Sequence, residues 1–349
     1  MAVLVSGGAG YIGSHMVLAL LESGEKAVVL DDLSTGFRSA VPPGVPLYVG
    51  DIADAALVTE VIRRHHISEI AHFAARTVVP DSVRMPLAYY ESNTVKTRAL
   101  IEAAISGDVK RLIFSSTAAV YGEPDVVDVD EDVAPAPINP YGRSKLMSEW
   151  ILRDAAAATG LQCAILRYFN VAGADPQMRA GQSTEHATHL IKVACQAALG
   201  LRPSITVFGT DLPTPDGTGV RDYIQVSDLA DAHVCALTHL RKGGTDLVLN
   251  CGYGRGYSVL EVLDTVKRVS GVDFPVIFGS RRPGDPAALI ARADRIRSLL
   301  DWRPRFDALE TIVSQALAWE RLEAPRRQTA NCEVAACYVP TARGPASLQ

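Results

Sequence analysis

The chain has 349 residues, 48% of them hydrophobic and 21% charged, with a formal net charge of -5. That length holds one large domain or two modest ones, and the composition is that of an ordinary folded soluble protein. Mild acidity argues against a nucleic-acid surface, and no apolar run is long enough to span a bilayer.

The first residues, Ala2-Val3-Leu4-Val5, lack a basic flank and run straight into glycines, so they read as a buried strand and not as a signal peptide. Six scattered cysteines, Cys163, Cys195, Cys235, Cys251, Cys332 and Cys337, fit no metal spacing. They are expected to be reduced thiols of a cytoplasmic protein, the first four mostly buried.

The first half alternates apolar, strand-like runs with amphipathic stretches. Strands are predicted at Val3–Ser6, Ala27–Leu30, Pro46–Val49, Glu69–Phe73, Arg111–Ser115 and Cys163–Tyr168. Helical patterns such as Ser14–Glu22, Ala55–His65 and Asn93–Ile105 lie between them. This alternation predicts an α/β fold with a doubly wound parallel sheet of the Rossmann type, residues 1–170. Beyond Asn170, loops rich in Gly, Pro and Asp mix with helices such as Ser227–His239 and Val259–Val269. A smaller mixed α/β substrate-binding domain is expected over 171–324, with segments near 226–250 free to return to the first domain. From Pro325 to the end the pattern is lost, and a loosely ordered tail is expected over 325–349.

Chemistry-bearing residues fall at the carboxyl ends of the predicted strands, where such sheets bind ligands. Gly7, Gly10 and Gly13 follow the first strand and precede a helix. Glycines there allow a tight turn and a close backbone approach to a pyrophosphate, and the helix start offers free N–H groups to it. The two-residue first gap departs from the commonest dinucleotide fingerprint. Asp31-Asp32 closes the second strand and can accept hydrogen bonds from an adenosine ribose, which favours NAD over its 2′-phosphorylated form; a cap or turn carboxylate is the plainer alternative. Asp51, with Ile52 after it, could accept from an adenine amino group or simply close a turn. Phe73-Ala74-Ala75 would let backbone lie against a cofactor, or be a buried strand end. Tyr141 and Lys145 stand one helical turn apart if their segment is helical. An ammonium beside the phenol would lower its pKa from about 10 and make it a general acid/base. Ser115-Ser116-Thr117 supplies hydroxyls at a neighbouring strand end.

Together these features resemble the short-chain dehydrogenase/reductase superfamily in its extended, nucleotide-sugar-modifying form, and within it the UDP-hexose 4-epimerases. The likeness runs from Met1 to about Leu322. It includes Arg167-Tyr168-Phe169-Asn170, Val207-Phe208-Gly209, the specific block Asp216–Ile224, and Arg281-Arg282-Pro283-Gly284-Asp285. The resemblance implies a tightly held NAD, regenerated at every turnover, and a UDP-sugar substrate. Tyr141, Lys145 and Thr117 would be catalytic. Gly7, Gly10, Tyr11, Ile12, Gly13, Asp31, Asp32, Asp51 and Ile52 would hold the cofactor, joined by Phe73, Ala74, Ala75, Asn93, Ser115 and Phe169, with Tyr141 and Lys145 also touching it. Asn170, Arg221 and Arg282 would grip the diphosphate, Thr206 and Phe208 the uracil, and Asp285 its ribose. Thr77 stands where some members carry a cofactor-contacting lysine. Leu289, where a bulkier residue excludes N-acetylated sugars, leaves room for UDP-N-acetylglucosamine.

A nucleotide-sugar 4,6-dehydratase is the rival reading. Its relatives carry Asp-Glu after the threonine, whereas Thr117 is followed by Ala118-Ala119. Epimerisation of a UDP-pentose or UDP-uronate stays open. A silent NAD-binding regulator would be expected to have lost Tyr141 or Lys145. No metal is implied, and the resemblance suggests a homodimer.

Overall fold

Runs of valine, isoleucine and leucine can be buried on both faces only between layers of helix, and the first domain is built that way. The computed structural model describes residues 2–184, 187–281 and 286–337. Its first strand, β1 (Ala2–Ser6), is wholly buried. Then follow α1 (Tyr11–Glu22), β2 (Lys26–Asp31), β3 (Leu47–Val49), α2 (Ala55–His65) and β4 (Ile67–His72). Two short helices, α3 (Val79–Arg84) and α4 (Pro86–Tyr90), lead through a π-helical turn at Glu91–Val95 into α5 (Lys96–Ser106). The next strand, β5 (Arg111–Thr117), gives way to a 3-10 turn at Ala118–Val120, the short strand β6 (Asp128–Val129), α6 (Pro140–Thr159) and β7 (Gln162–Tyr168).

The second half contains β8 (Asn170–Ala172), α7 (Leu190–Ala198), β9 (Ile205–Phe208), β10 (Val220–Gln225) and α8 (Val226–Arg241). After them come β11 (Leu247–Cys251), β12 (Gly256–Ser258), α9 (Val259–Ser270), β13 (Val276–Gly279), β14 (Ala288–Ala291), α10 (Asp294–Leu299) and α11 (Leu309–Cys337).

Seven parallel strands form the main sheet in the order β11-β7-β5-β4-β1-β2-β3. The order reverses direction between β1 and β4, so their carboxyl ends flank the crevice in which doubly wound sheets bind ligands. The outermost strand, β11, comes from residues 247–251 and pairs with β7, while α8 packs against α1. A second sheet runs β12-β10-β14-β6 with β8 beside β10, and β9 pairs with β13.

The predicted strands are observed with ends shifted by one or two residues. The stretch expected to be one helix at Asn93–Ile105 divides into the π-helical turn and α5. The tail expected from Pro325 differs too. Helix α11 continues to Cys337, through a stretch with three alanines and two arginines, which are strong helix formers. Residues 338–349 lie outside the described part. Among the described residues, no helix is long and apolar enough to cross a membrane. No group of three or more metal-ligating side chains is found among them.

Three fully buried histidines sit in the core. Burial lowers His72 to about 3 and His15 and His233 to about 4. Their folded pKa values lie below the unfolded value near 6.5, so an unfolded chain takes up protons the folded one refuses. Stability is therefore expected to fall as the pH drops below 6.5, by about 1.4 kcal/mol per pH unit for each histidine. Urea unfolding followed from pH 7 to 5 checks this, and His233→Gln should make the fall shallower by about one proton.

Candidate active site

The glycine loop owes its path to steric closeness. Gly7 has φ +74°, and a Cβ there would lie 2.5 Å from the Ala74 nitrogen. A Cβ at Gly13 would lie 2.1 Å from the Gly7 carbonyl oxygen. Glycine at 13 thus lets α1 start directly on the turn. Gly10 is the N-cap and has no side chain to offer, so the first N–H groups of the helix, from Tyr11 on, keep their hydrogen-bonding capacity. The hydroxyl of Tyr11 donates to the Gly173 carbonyl oxygen at 2.7 Å, which ties the loop to the segment after β8.

Asp31, buried at the end of β2, accepts from the N–H of Ala9 and of Leu33, each at 2.9 Å. Burial raises its pKa, and those two N–H donors pull the other way. Its carboxylate is therefore fixed against the glycine loop. Asp32 is exposed and accepts from the Ser34 N–H at 2.9 Å. Asp51 pairs with Lys96 and accepts from the Ala53 N–H at 2.9 Å. Burial pushes its pKa up, but the Lys96 ammonium outweighs that and leaves it lowered. Ile52 after it is buried.

At the end of β4, His72 bridges the Ser6 hydroxyl (2.7 Å) and the Thr97 hydroxyl (2.9 Å). Phe73 packs on the His233 ring at 4.9 Å between centroids, and Ala74 and Ala75 follow on the path crossed by Gly7. The side chain of Asn93 accepts from the Arg76 N–H at 2.8 Å and donates to the Arg76 carbonyl at 2.9 Å and the Ser144 hydroxyl at 3.1 Å. Its amide is taken up in fastening the segment after Ala75 to α6. Phe169 is buried where β7 passes into β8.

Helix α6 carries Tyr141 and Lys145, the pair expected to be catalytic. Asn139 caps it, accepting from the Gly142 N–H at 2.9 Å, and Pro140 occupies the first turn. Tyr141 and Lys145 both face inward and are buried. Thr117 hydrogen-bonds the Tyr141 side chain and also accepts from the Ala119 N–H at 3.1 Å. Ser115 shares a hydrogen bond with the Tyr168 hydroxyl. The ammonium of Lys145 stands 4.4 Å from the centre of the Phe114 ring, a favourable cation–π placement.

The electrostatics depart from the sequence expectation. Burial pushes Tyr141 up to about 12, and the Thr117 hydrogen bond only partly offsets it. Lys145 is not among the groups that lower it. Burial instead drives Lys145 itself down to about 7, with Glu149 pulling it back up. Desolvation outweighs the mutual attraction because both groups are taken from water together.

Of the expected substrate-side residues, Asn170, Arg221 and Leu289 gather on β10 and its neighbours. Its partners β8 and β14 set Asn170 beside Tyr223 and Leu289 beside Arg221. The guanidinium of Arg221 donates to the Val220 carbonyl at 2.8 Å. Thr206 and Phe208 lie on β9, paired with β13 and not with this sheet; Phe208 is 40% exposed. Arg282 and Asp285 lie outside the described residues. The sequence reading missed a buried polar group behind α6, formed by Glu149, Arg167, Ser116 and Tyr121. A charge inside the apolar run Ala164-Ile165-Leu166-Arg167 and a glutamate one turn after Lys145 were the available signals.

The profile of the NAD dependent epimerase/dehydratase family matches residues 3–252. A UDP-glucose 4-epimerase of Azospirillum brasilense is 59% identical over 319 residues, covering 91% of this chain and 92% of the relative. A UDP-glucose 4-epimerase of Brucella ovis, solved in complex with NAD, superposes with a TM-score of 0.88 at 42% identity, covering 91% of this chain and 97% of that one. The UDP-Glc/GlcNAc 4-epimerase of Campylobacter jejuni gives a TM-score of 0.81 at 46% identity, covering 92% and 99%.

Replacing Gly13 by alanine forces its Cβ onto the Gly7 carbonyl. The variant is expected to lose affinity for NAD by at least tenfold, measured by calorimetric titration, with a lower unfolding midpoint.

Proposed function

The chain belongs to the NAD dependent epimerase/dehydratase family, and from that premise we propose that it interconverts UDP-glucose and UDP-galactose through a 4-keto intermediate. The observation that carries the reading is the hydrogen bond of Thr117 to Tyr141, with Lys145 one helical turn along, at the carboxyl end of a strand in the sheet that carries the glycine loop. The donor set suits NAD: uncommitted N–H groups at the start of α1 for the pyrophosphate, the buried Asp31 carboxylate for a ribose diol, and the Lys145 ammonium for the second ribose. NAD, when bound, supplies the reversible oxidation of the sugar at carbon 4.

The residues of the chain handle the proton and the positioning. Tyr141 takes the proton of the 4-hydroxyl and returns it to the ketone oxygen. Its phenol, near pKa 12, is an acid at rest and suits the return step; positive charge brought against it turns it into a base. Lys145, one turn along, is that charge when protonated. Thr117 holds the same oxygen. Asn170, Arg221 and Arg282 hold the diphosphate while the sugar turns, so binding at the non-reacting part of the substrate presents both faces of the ketone in turn. Thr206 and Phe208 flank the uracil. The dehydratase alternative is disfavoured because Ala118 and Ala119, in the 3-10 turn after Thr117, carry no side chain able to move a proton. Leu289, beside Arg221, is small enough for N-acetylated sugars to enter as well.

Incubation of the purified protein with UDP-glucose, UDP-galactose, UDP-N-acetylglucosamine and a UDP-pentose, followed by NMR, tests this. The 4-epimer of glucose is expected to form, and its absence overturns the reading. In Tyr141→Phe, turnover should fall by about a thousandfold or more with NAD still retained.

We infer a cytoplasmic homodimer as well. Supporting the dimer, Leu87, Val95, Met147 and Trp150 are exposed on neighbouring elements, α4, the π-helical turn and α6, an apolar face suited to a second copy. Sedimentation should give a dimer, and Trp150→Glu should shift it toward monomer.

A further inference from the structure

Behind the reactive face of α6 lies a buried pair of opposite charges that the mechanism above does not use. Glu149 and Arg167 are almost wholly inaccessible. The guanidinium is bidentate on the carboxylate, with Nη2 donating to Oε2 at 2.6 Å and Nε to Oε1 at 3.0 Å. Oε1 also accepts from the Ser116 hydroxyl at 2.5 Å. Nη1 of Arg167 donates to the Tyr121 hydroxyl at 3.1 Å, and that hydroxyl donates to Asn250 at 2.7 Å.

Placement gives the cluster its meaning. Ser116 lies between Ser115 and Thr117 on β5, Arg167 precedes Tyr168 on β7, and Glu149 follows Lys145 by one turn of α6. One carboxylate therefore joins the strand end carrying Thr117, the strand carrying Tyr168 and the helix carrying Tyr141 and Lys145. Resting on the function proposed above, we propose that Glu149 and Arg167 are positioning residues that hold Thr117 against Tyr141 and set the charge carried by Lys145.

The surroundings of Lys145 leave few groups able to oppose this. From β4 comes His72, held neutral by burial. Around Tyr141, Tyr89 on α4 and Tyr168 on β7 are held in the phenol form by burial, as is Tyr121 beside Arg167. Tyr141, on the same helix, is protonated as well. Glu149 is then the anion that favours the ammonium, and Arg167, paired with that carboxylate, tempers it.

A merely structural pair and a charge-setting pair behave differently when opened from either side. In Glu149→Gln, Lys145 loses its anion, so it should titrate about one pH unit lower. In Arg167→Met, the anion is left unmoderated, so Lys145 should titrate about one unit higher. The midpoint is read by NMR on protein carrying lysine labelled with ¹³C at Cε, the resonance being assigned by its absence in Lys145→Met. This readout does not depend on turnover. Shifts of the same sign, or no shift in either variant, overturn the proposal.

If a single variant fails to fold, Glu149→Gln with Arg167→Met removes both charges and takes its place. Its midpoint should stay within about half a unit of the wild type, and a shift as large as one unit overturns the proposal. With UDP-glucose, Glu149→Gln should lose at least tenfold in kcat with little change in KM, since Thr117 and Tyr141 act on the transition state; a loss confined to KM overturns the positioning role. Failure of the wild-type chain to epimerise any UDP-sugar would overturn the function proposed above, while the lysine titration would still decide on the charge pair.

Discussion

Helix α6 lies on the turn after β5 at a distance that only a glycine permits. A Cβ on Gly142 would come 2.4 Å from the Ala119 carbonyl oxygen and 2.9 Å from Pro137. That contact brings the first turn of the helix, with Tyr141, down beside Thr117, and the residues proposed to be catalytic are arranged around it. Asn139 and Pro140 start the helix at the right residue, Asn93 and Ser148 fasten its side to the π-helical turn, and Glu149 fastens its back to β5 and β7. A helix held on three sides cannot drift by the fraction of an ångström that proton transfer would notice.

The price of this arrangement is electrostatic. Two ionisable groups, Tyr141 and Lys145, are taken out of water together, and each is driven toward its neutral form. Of the two, the amine, near 7, is the one that charges readily at neutral pH, and its protonation favours loss of the phenol's proton. Neutral His72, wedged between Ser6 and Thr97, adds no competing charge. The pocket is thus quiet by itself and responsive to what enters it, which fits a reaction run alternately in two directions.

Much of this was legible in the sequence. Apolar runs of four to six residues spaced by helical patterns gave the parallel sheet, and the glycine spacing fell directly after the first of them. Tyr141 and Lys145 stand one turn apart as their spacing requires. What stayed hidden depends on surroundings that a linear pattern does not contain. The spacing of tyrosine and lysine suggests attraction between them; only burial shows that desolvation wins. Asn93 lies in a helical pattern, yet its amide is taken up by Arg76 and Ser144, through a π-helical turn that periodicity does not reveal. Pro325 marked the end of helical signal, whereas α11 runs on to Cys337, its alanine and arginine content outweighing one proline.

The strand β11 has a consequence for how the molecule comes into being. The outer position of the main sheet is filled by residues 247–251, some 80 residues after β7, with which it pairs. Until those residues have left the ribosome, β7 is an unpaired edge whose Leu166 and Ile165 neighbours are apolar, a surface open to wrong partners. A piece ending at Asn170 would lack the strand that covers the outer edge of β7. Completion of the sheet waits on long-range pairing, the slow kind of contact in folding, and the two halves of the chain are synthesised in sequence but must fold as one.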